Sequence, residues 1–100
     1  MVKHIVMWKF KDEIADGDKA KLKADMKKNL TELLGKVPGL LSVDFQSELL
    51  SSSTHDMALV TELETAEALA GYSVHPEHVA VANTYVRPFV CDRSCLDYEG

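Results

Sequence analysis

Eight consecutive residues, Gly71-Tyr72-Ser73-Val74-His75-Pro76-Glu77-His78, hold two of the chain's four histidines, one of three tyrosines and one of three prolines. An imidazole titrates near neutral pH with little tuning, which suits it to general-base work. A tyrosine hydroxyl beside it can stabilise charge developing on a carbonyl oxygen. His4 and His55 stand on segments that alternate with the strand period of two. His4 shares a face with Val6 and Trp8, and His55 shares one with Met57 and Leu59. If helices cover those faces, His4, His55, Tyr72 and His78 converge on one cavity. A structural role is the competing reading. His75 before Pro76 can cap a helix restart, His78 one turn on can satisfy a buried carbonyl, and His4 and His55 lie near strand ends. A metal is the weakest option: His75 and His78 can share a helix face, but no carboxylate or cysteine completes a set at recognisable spacing. No metal site and no cofactor is expected.

The elements that must position these residues follow in order. Residues 2–10 alternate, with Val2, His4, Val6, Trp8 and Phe10 on one face and Lys3, Ile5, Met7 and Lys9 on the other. Asp16 or Asp18 is the expected N-cap of a helix over about 18–36. Its apolar stripe is Leu22, Met26, Leu30, Leu33, Leu34 and Val37, and Gly35 with Pro38-Gly39 marks its stop. A second strand is expected over 40–49, a short hairpin loop at Ser51–Thr54, and a third strand from His55 to Leu63. Thr65 is the expected N-cap of the next helix. Pro76 breaks that helix near His75 and restarts it from the first helical position. Pro88 either ends the restarted helix or opens one more short turn, and a last strand spans about 93–98.

The order β-α-β-β-α-β predicts an α+β fold: a four-stranded antiparallel, ferredoxin-like sheet with both helices on one face. Strands 1 and 3 would be central, and both carry apolar residues on both faces. The face turned from the helices then presents Ile5, Met7, Ala58 and Val60 with nothing in one protomer to cover them. A sheet open to water normally has a polar outer face, and an uncovered apolar patch marks an interface. A homodimer joined sheet to sheet is the expectation.

Composition narrows the function classes. One hundred residues make one domain, 1–100. The apolar share of 46% and charged share of 27% are those of a soluble globular chain. No apolar run approaches the roughly 20 residues of a membrane span, and the alternating N-terminus does not read as a signal peptide, which favours the cytoplasm. The net charge of −5 disfavours nucleic acid. The lysines between 19 and 36 are interleaved with acids on a helix and read as a solvated face. Cys91 and Cys95 are too few for a disulfide framework, and four residues of strand would hold them about 13 Å apart. They are expected as free thiols.

Several blocks together resemble the stress-responsive dimeric α/β-barrel domain family. They are Val2-Lys3-His4-Ile5-Val6-Met7-Trp8-Lys9-Phe10-Lys11, Val37-Pro38-Gly39-Leu40, His55-Asp56-Met57-Ala58-Leu59-Val60, the Gly71–His78 stretch and Asp97-Tyr98-Glu99. The resemblance covers nearly the whole chain and implies a ferredoxin-like protomer whose sheets pair into a barrel-like dimer. Plant polyketide cyclases of this fold close a linear polyketide by an aldol-type condensation, using a histidine base assisted by a tyrosine. By position that resemblance implies His78 as the base, Tyr72 as its polarising partner, and His4 and His55 as further pocket histidines. Trp8 and Met57 fall at pocket positions and need not suit a polyketide chain. The histidine block is widespread in the family and does not by itself certify cyclase activity.

Three functions are therefore carried forward. The first is a small stress-response-type dimer that binds a small molecule between sheet and helices. The second is a lyase or cyclase acting on a carbonyl compound through His78 and Tyr72, with His4, His55, Trp8 and Met57 contacting substrate. The third is a cofactor-free monooxygenase-like barrel, which rests on analogy of fold alone.

Overall fold

A computed structural model describes residues 1–100. Strand β1 spans Val2–Phe10, helix α1 Asp16–Thr31, β2 Leu40–Gln46 and β3 Met57–Leu63. Helix α2 spans Ala66–Val74, α3 Pro76–Val81, a π-helical turn Ala82–Val86, and β4 Val90–Glu99. The strands form one sheet in the order β2-β3-β1-β4, with every neighbouring pair antiparallel. This is the expected ferredoxin-like arrangement, with β1 and β3 central.

Alternation decides which side of the sheet the helices cover. Val2, His4, Val6, Trp8 and Phe10 are buried on β1, and Met57, Leu59, Thr61 and Leu63 are buried on β3. Directly paired residues share a face, so the pairing of His4 with Thr61 and of Trp8 with Met57 makes one continuous inner surface. Met26 and Leu30 of α1 close over it with Leu33 and Val37. Each such side chain contributes about 1.5–3 kcal/mol by leaving water. Thr61 is the polar exception in this layer, and its hydroxyl donates to the His4 carbonyl at 3.3 Å.

Helix boundaries depart from the periodicity in instructive ways. The N-cap of α1 is Ala15, which makes no side-chain cap bond, so neither Asp16 nor Asp18 caps it. Both acids sit in the first turn, where they favour the positive end of the helix dipole, and Asp16 pairs with Lys19 at 2.9 Å. The helix stops at Thr31, and residues 32–36 continue as successive turns, with a bend at Val37. These turns keep Leu33 and Val37 in the core but leave Leu34 44% exposed, outside the stripe assigned to it. Gly39 has φ +79, and a Cβ there would stand 2.6 Å from the Ala68 Cβ. Only glycine lets the chain turn there and also lets α2 approach so closely.

Strand β2 is shorter than expected and its faces do not alternate cleanly. Leu40 pairs with Leu63 while Ser42 pairs with Glu62, so Leu41 is an extra, bulged residue. The bulge lets Leu40 and Phe45 both turn inward although their sequence parity is opposite, and it leaves Leu41 exposed. Strand β3 begins at Met57, which places His55 in the long connection 47–56 instead of on the strand. Asp56 ends that connection by accepting the Phe10 N–H at 2.8 Å.

Thr65 does cap α2, accepting the Ala68 N–H at 3.1 Å. Pro76 opens α3, with His75 as N-cap accepting the Glu77 N–H at 3.1 Å through Nδ1. The restarted helix then widens into the π-turn, which buries Ala82 and Val86. Pro88 lies in a turn after the helix, and β4 starts earlier than expected, at Val90.

The outer face of the sheet carries Ile5 and Met7 from β1 and Ala58 and Val60 from β3, all half-buried. On β4, Leu96 pairs with Ile5 and Tyr98 with Lys3. Both residues therefore extend the same face, and both are exposed. No helix is long and apolar enough to cross a membrane.

Candidate functional site

A cavity of about 210 Å³ opens between the inner face of the sheet and the helices. β1 contributes His4, Val6 and Trp8, while α2 contributes Tyr72 and Ser73. α3 brings His78, the π-turn Ala82 and Val86, and Leu30 and Leu59 complete the apolar wall. Arg87 and Arg93 complete the polar lining. Of the residues expected at a site, His4, Trp8, Tyr72 and His78 are thus brought to one space.

His55 and Met57 are not. His55 Nδ1 lies 2.9 Å from Thr54 Oγ1 and Nε2 lies 3.3 Å from Ser94 Oγ. Ser94 pairs with Met7 and so belongs to the outer face. His55 is consequently tied to the wrong side of the sheet to meet His78. The expectation assumed that β3 ran through His55, and the strand begins two residues later. Met57 does face inward, but it is fully buried in the core and does not line the cavity.

His78 and Tyr72 are stacked, with ring centroids 4.2 Å apart and planes tilted by 36°. The break at His75 sets this up: α2 ends at Val74 and α3 restarts at Pro76, so the two rings come from separate short helices meeting at an angle. His4 approaches the other side of Tyr72 edge-on, with centroids 6.1 Å apart and an interplanar angle of 70°. Tyr72 is only 2% exposed, and burial pushes its hydroxyl up to about 12. It therefore remains protonated and is available as a donor, not as a base.

His78 Nδ1 is buried and has no hydrogen-bond partner. Burial pulls the imidazole below the usual histidine range, against an opposing pull from the Ser73 backbone; the charges of Arg87, His4 and Arg93 lower it further. The ring is thereby held in its neutral, proton-accepting form at neutral pH.

His4 is anchored differently. Its Nδ1 bonds to Asp97 Oδ1, the residue opposite it on β4. A nitrogen facing a carboxylate carries the proton. Cys95, opposite Val6, shares this face, with Sγ 3.8 Å from His4 Nδ1 and 3.5 Å from Asp97 Oδ1. These three donors lie within 4.8 Å of one another and could hold a metal ion. The sequence spacing conceals that set, because antiparallel pairing brings residues 95 and 97 to residue 4. The His4–Asp97 bond already satisfies both polar groups, and burial together with Asp97 raises the Cys95 thiol, keeping it un-ionised. Cys91 is raised as well, by burial and then by Asp92, and both cysteines are free.

Arg93 reaches the cavity because of a second irregularity. Met7 pairs with Ser94 and Lys9 with Cys91, so two residues, Asp92 and Arg93, oppose Trp8 alone. Asp92 adopts φ 52, a left-handed conformation that aspartate tolerates better than most residues. The bulge turns Arg93 to the helix side with Cys95 and Asp97. Arg93 is not legible as a site residue in the sequence, since bulges depend on the pairing partner, and Arg87 follows a π-turn that the periodicity did not indicate.

Comparisons with known proteins agree with this architecture. The sequence profile of the Stress responsive A/B Barrel Domain matches residues 2–100. Olivetolic acid cyclase of Cannabis sativa is 27% identical over 89 residues, spanning 84% of this chain and 82% of the cyclase. A dimeric protein of ferredoxin-like fold from Bacteroides fragilis superposes with a TM-score of 0.90 at 27% identity, covering 99% of this chain and 95% of that one. Hydroxynitrile lyase from Passiflora edulis superposes at 0.71 with 16% identity over 97% and 90% of the two chains; that likeness is one of fold.

Proposed function

The chain belongs to the Stress responsive A/B Barrel Domain family, and from that premise we propose that it is a homodimer whose protomers each take up a small carbonyl compound between sheet and helices. In this reading His78 is the base that removes a proton next to the carbonyl, and Tyr72 donates a hydrogen bond to the oxygen on which the charge collects. The observation that carries it is the stack of buried Tyr72 on half-buried His78 at the cavity wall. One member is kept protonated and the other neutral by the same burial. Pairs of titratable groups whose surroundings push them towards complementary roles are how acid and base functions are divided in a site.

Nδ1 of His78 is sealed from solvent, so exchange with a molecule in the cavity falls to Nε2. A proton leaves carbon for Nε2, the electron pair moves onto the carbonyl oxygen, and the Tyr72 hydroxyl stabilises the resulting enolate. The likeness to a cyclase at 27% identity supports this class of chemistry. The volume limits it: about 210 Å³ is below the range of roughly 300–1,000 Å³ of drug-sized ligand sites. A compact molecule or one arm of a longer one fits, and a whole extended chain does not.

Dimerisation is supported by the apolar outer face of Ile5, Met7, Ala58, Val60, Leu96 and Tyr98, and by the dimeric Bacteroides relative. A test of the chemistry uses acetophenone in deuterated water, following exchange of its methyl protons by NMR. Wild type should accelerate exchange, and His78→Ala should abolish the acceleration with the fold intact. Binding of acetophenone to wild type without any exchange would reduce the site to a binding pocket.

A further inference from the structure

The chain has only two arginines, Arg87 and Arg93, and both line the same cavity. None of the lysines lines it. We infer that the molecule taken up there carries a carboxylate, which Arg87 and Arg93 receive at the mouth while its apolar body lies against Val6, Trp8 and Val86. The inference rests on the small-molecule reading above and adds the substrate class: a small oxo acid, with its carbonyl at the Tyr72–His78 end.

Four features support the assignment. The ion pairs of the chain engage its N-terminus, His4, Lys9, Lys19 and Lys21, so both guanidinium groups lack an acidic partner. No aspartate or glutamate lines the cavity, although acids outnumber Lys and Arg in the chain by 16 to 11. Arg87 Nη1 donates to Asn83 Oδ1 at 2.6 Å, which orients its planar fork and leaves further N–H groups free. Arg93 is delivered to this side by the bulge opposite Trp8, where Asp92 takes φ 52. Guanidinium groups match a carboxylate with two parallel hydrogen bonds, which an ammonium cannot do. The cavity also has the right scale, since a dry cavity of about 150 Å³ admits a benzene ring.

The test compares benzoate with benzamide, its uncharged isostere, by isothermal titration against the full dimer, with inorganic phosphate as a third probe. Benzoate should bind wild type more tightly than benzamide. Arg87→Gln and Arg93→Gln should each weaken benzoate by about tenfold or more and leave benzamide within about twofold. Arg93→Lys should recover only part of the loss, and unchanged thermal midpoints would show that the variants are folded. Equal binding of benzoate and benzamide, or glutamine variants that hold benzoate as before, would overturn the carboxylate assignment alone. Phosphate displacing benzoate at equal concentration would also overturn it, in favour of a general anion site. Binding of none of the three probes to wild type would remove the small-molecule reading as well.

Discussion

The imidazole of His4 meets the carboxylate of Asp97 across the β1–β4 pair, although 93 positions separate them in the chain. The contact joins a central strand to the edge strand and fixes the ring that stands edge-on to Tyr72. One wall of the cavity thus depends on the last residues of the chain.

Replacing Asp97 with alanine should cost about 1 kcal/mol, below the roughly 1.5–3 kcal/mol of a hydrogen bond to a charged group. The discount reflects Asp97's side chain, which is 43% exposed. Cys95→Ser, beside the pair, should change stability by less than about 0.5 kcal/mol. Urea midpoints of the two variants decide this; equal costs would mean that the pair contributes nothing specific.

The pH dependence of stability should carry the signature of His78. Its native value is lowered from 6.5, chiefly by burial, so between the two values the unfolded chain binds a proton that the native protein does not. Stability rises with pH wherever the unfolded state holds more protons. The contribution is therefore complete above about pH 6.5, is lost as pH falls towards the native value, and then levels off. Wild type should lose more stability than His78→Gln between pH 7.5 and 5. The same loss in both proteins would remove His78 as the source.

Tyr72→Phe keeps the ring that packs between His4 and His78 and deletes only the hydroxyl. Exchange of acetophenone protons should fall by about 100-fold, the scale for losing one donor to a developing oxyanion. The thermal midpoint should move by no more than a few degrees. A phenylalanine variant with full exchange activity would mean that the hydroxyl takes no part.

Val60→Asp places a charge in the middle of the outer sheet face, opposite Ile5. Buried without a partner in a sheet-to-sheet dimer, each such charge costs about 3 kcal/mol or more, or roughly 100-fold in the dimer dissociation constant. Light scattering at micromolar concentration should then show monomer for the variant and dimer for wild type. A variant that stays dimeric would place the interface elsewhere.

Much of this protein was legible in its residues. The period-two alternation of residues 2–10 and 57–63 set the inner and outer faces of the two central strands, because side chains on a strand must alternate. Thr65 and Pro76 announced a helix start and a helix break through their own hydrogen-bonding and steric chemistry. Tyr72 and His78 could be placed near each other because the intervening chain is short and the break is local. What only the tertiary structure decided were relations set by a partner strand. The bulge at Leu41 turned both Leu40 and Phe45 inward, against their parity. The late start of β3 tied His55 to Ser94 on the outer face, and the bulge opposite Trp8 turned Arg93 into the cavity. The register of the edge strand set Asp97 and Cys95 beside His4. Local periodicity reports a residue's own backbone, whereas register and bulges are set by pairing with distant residues, and these place Arg93 in the cavity and Asp97 against His4.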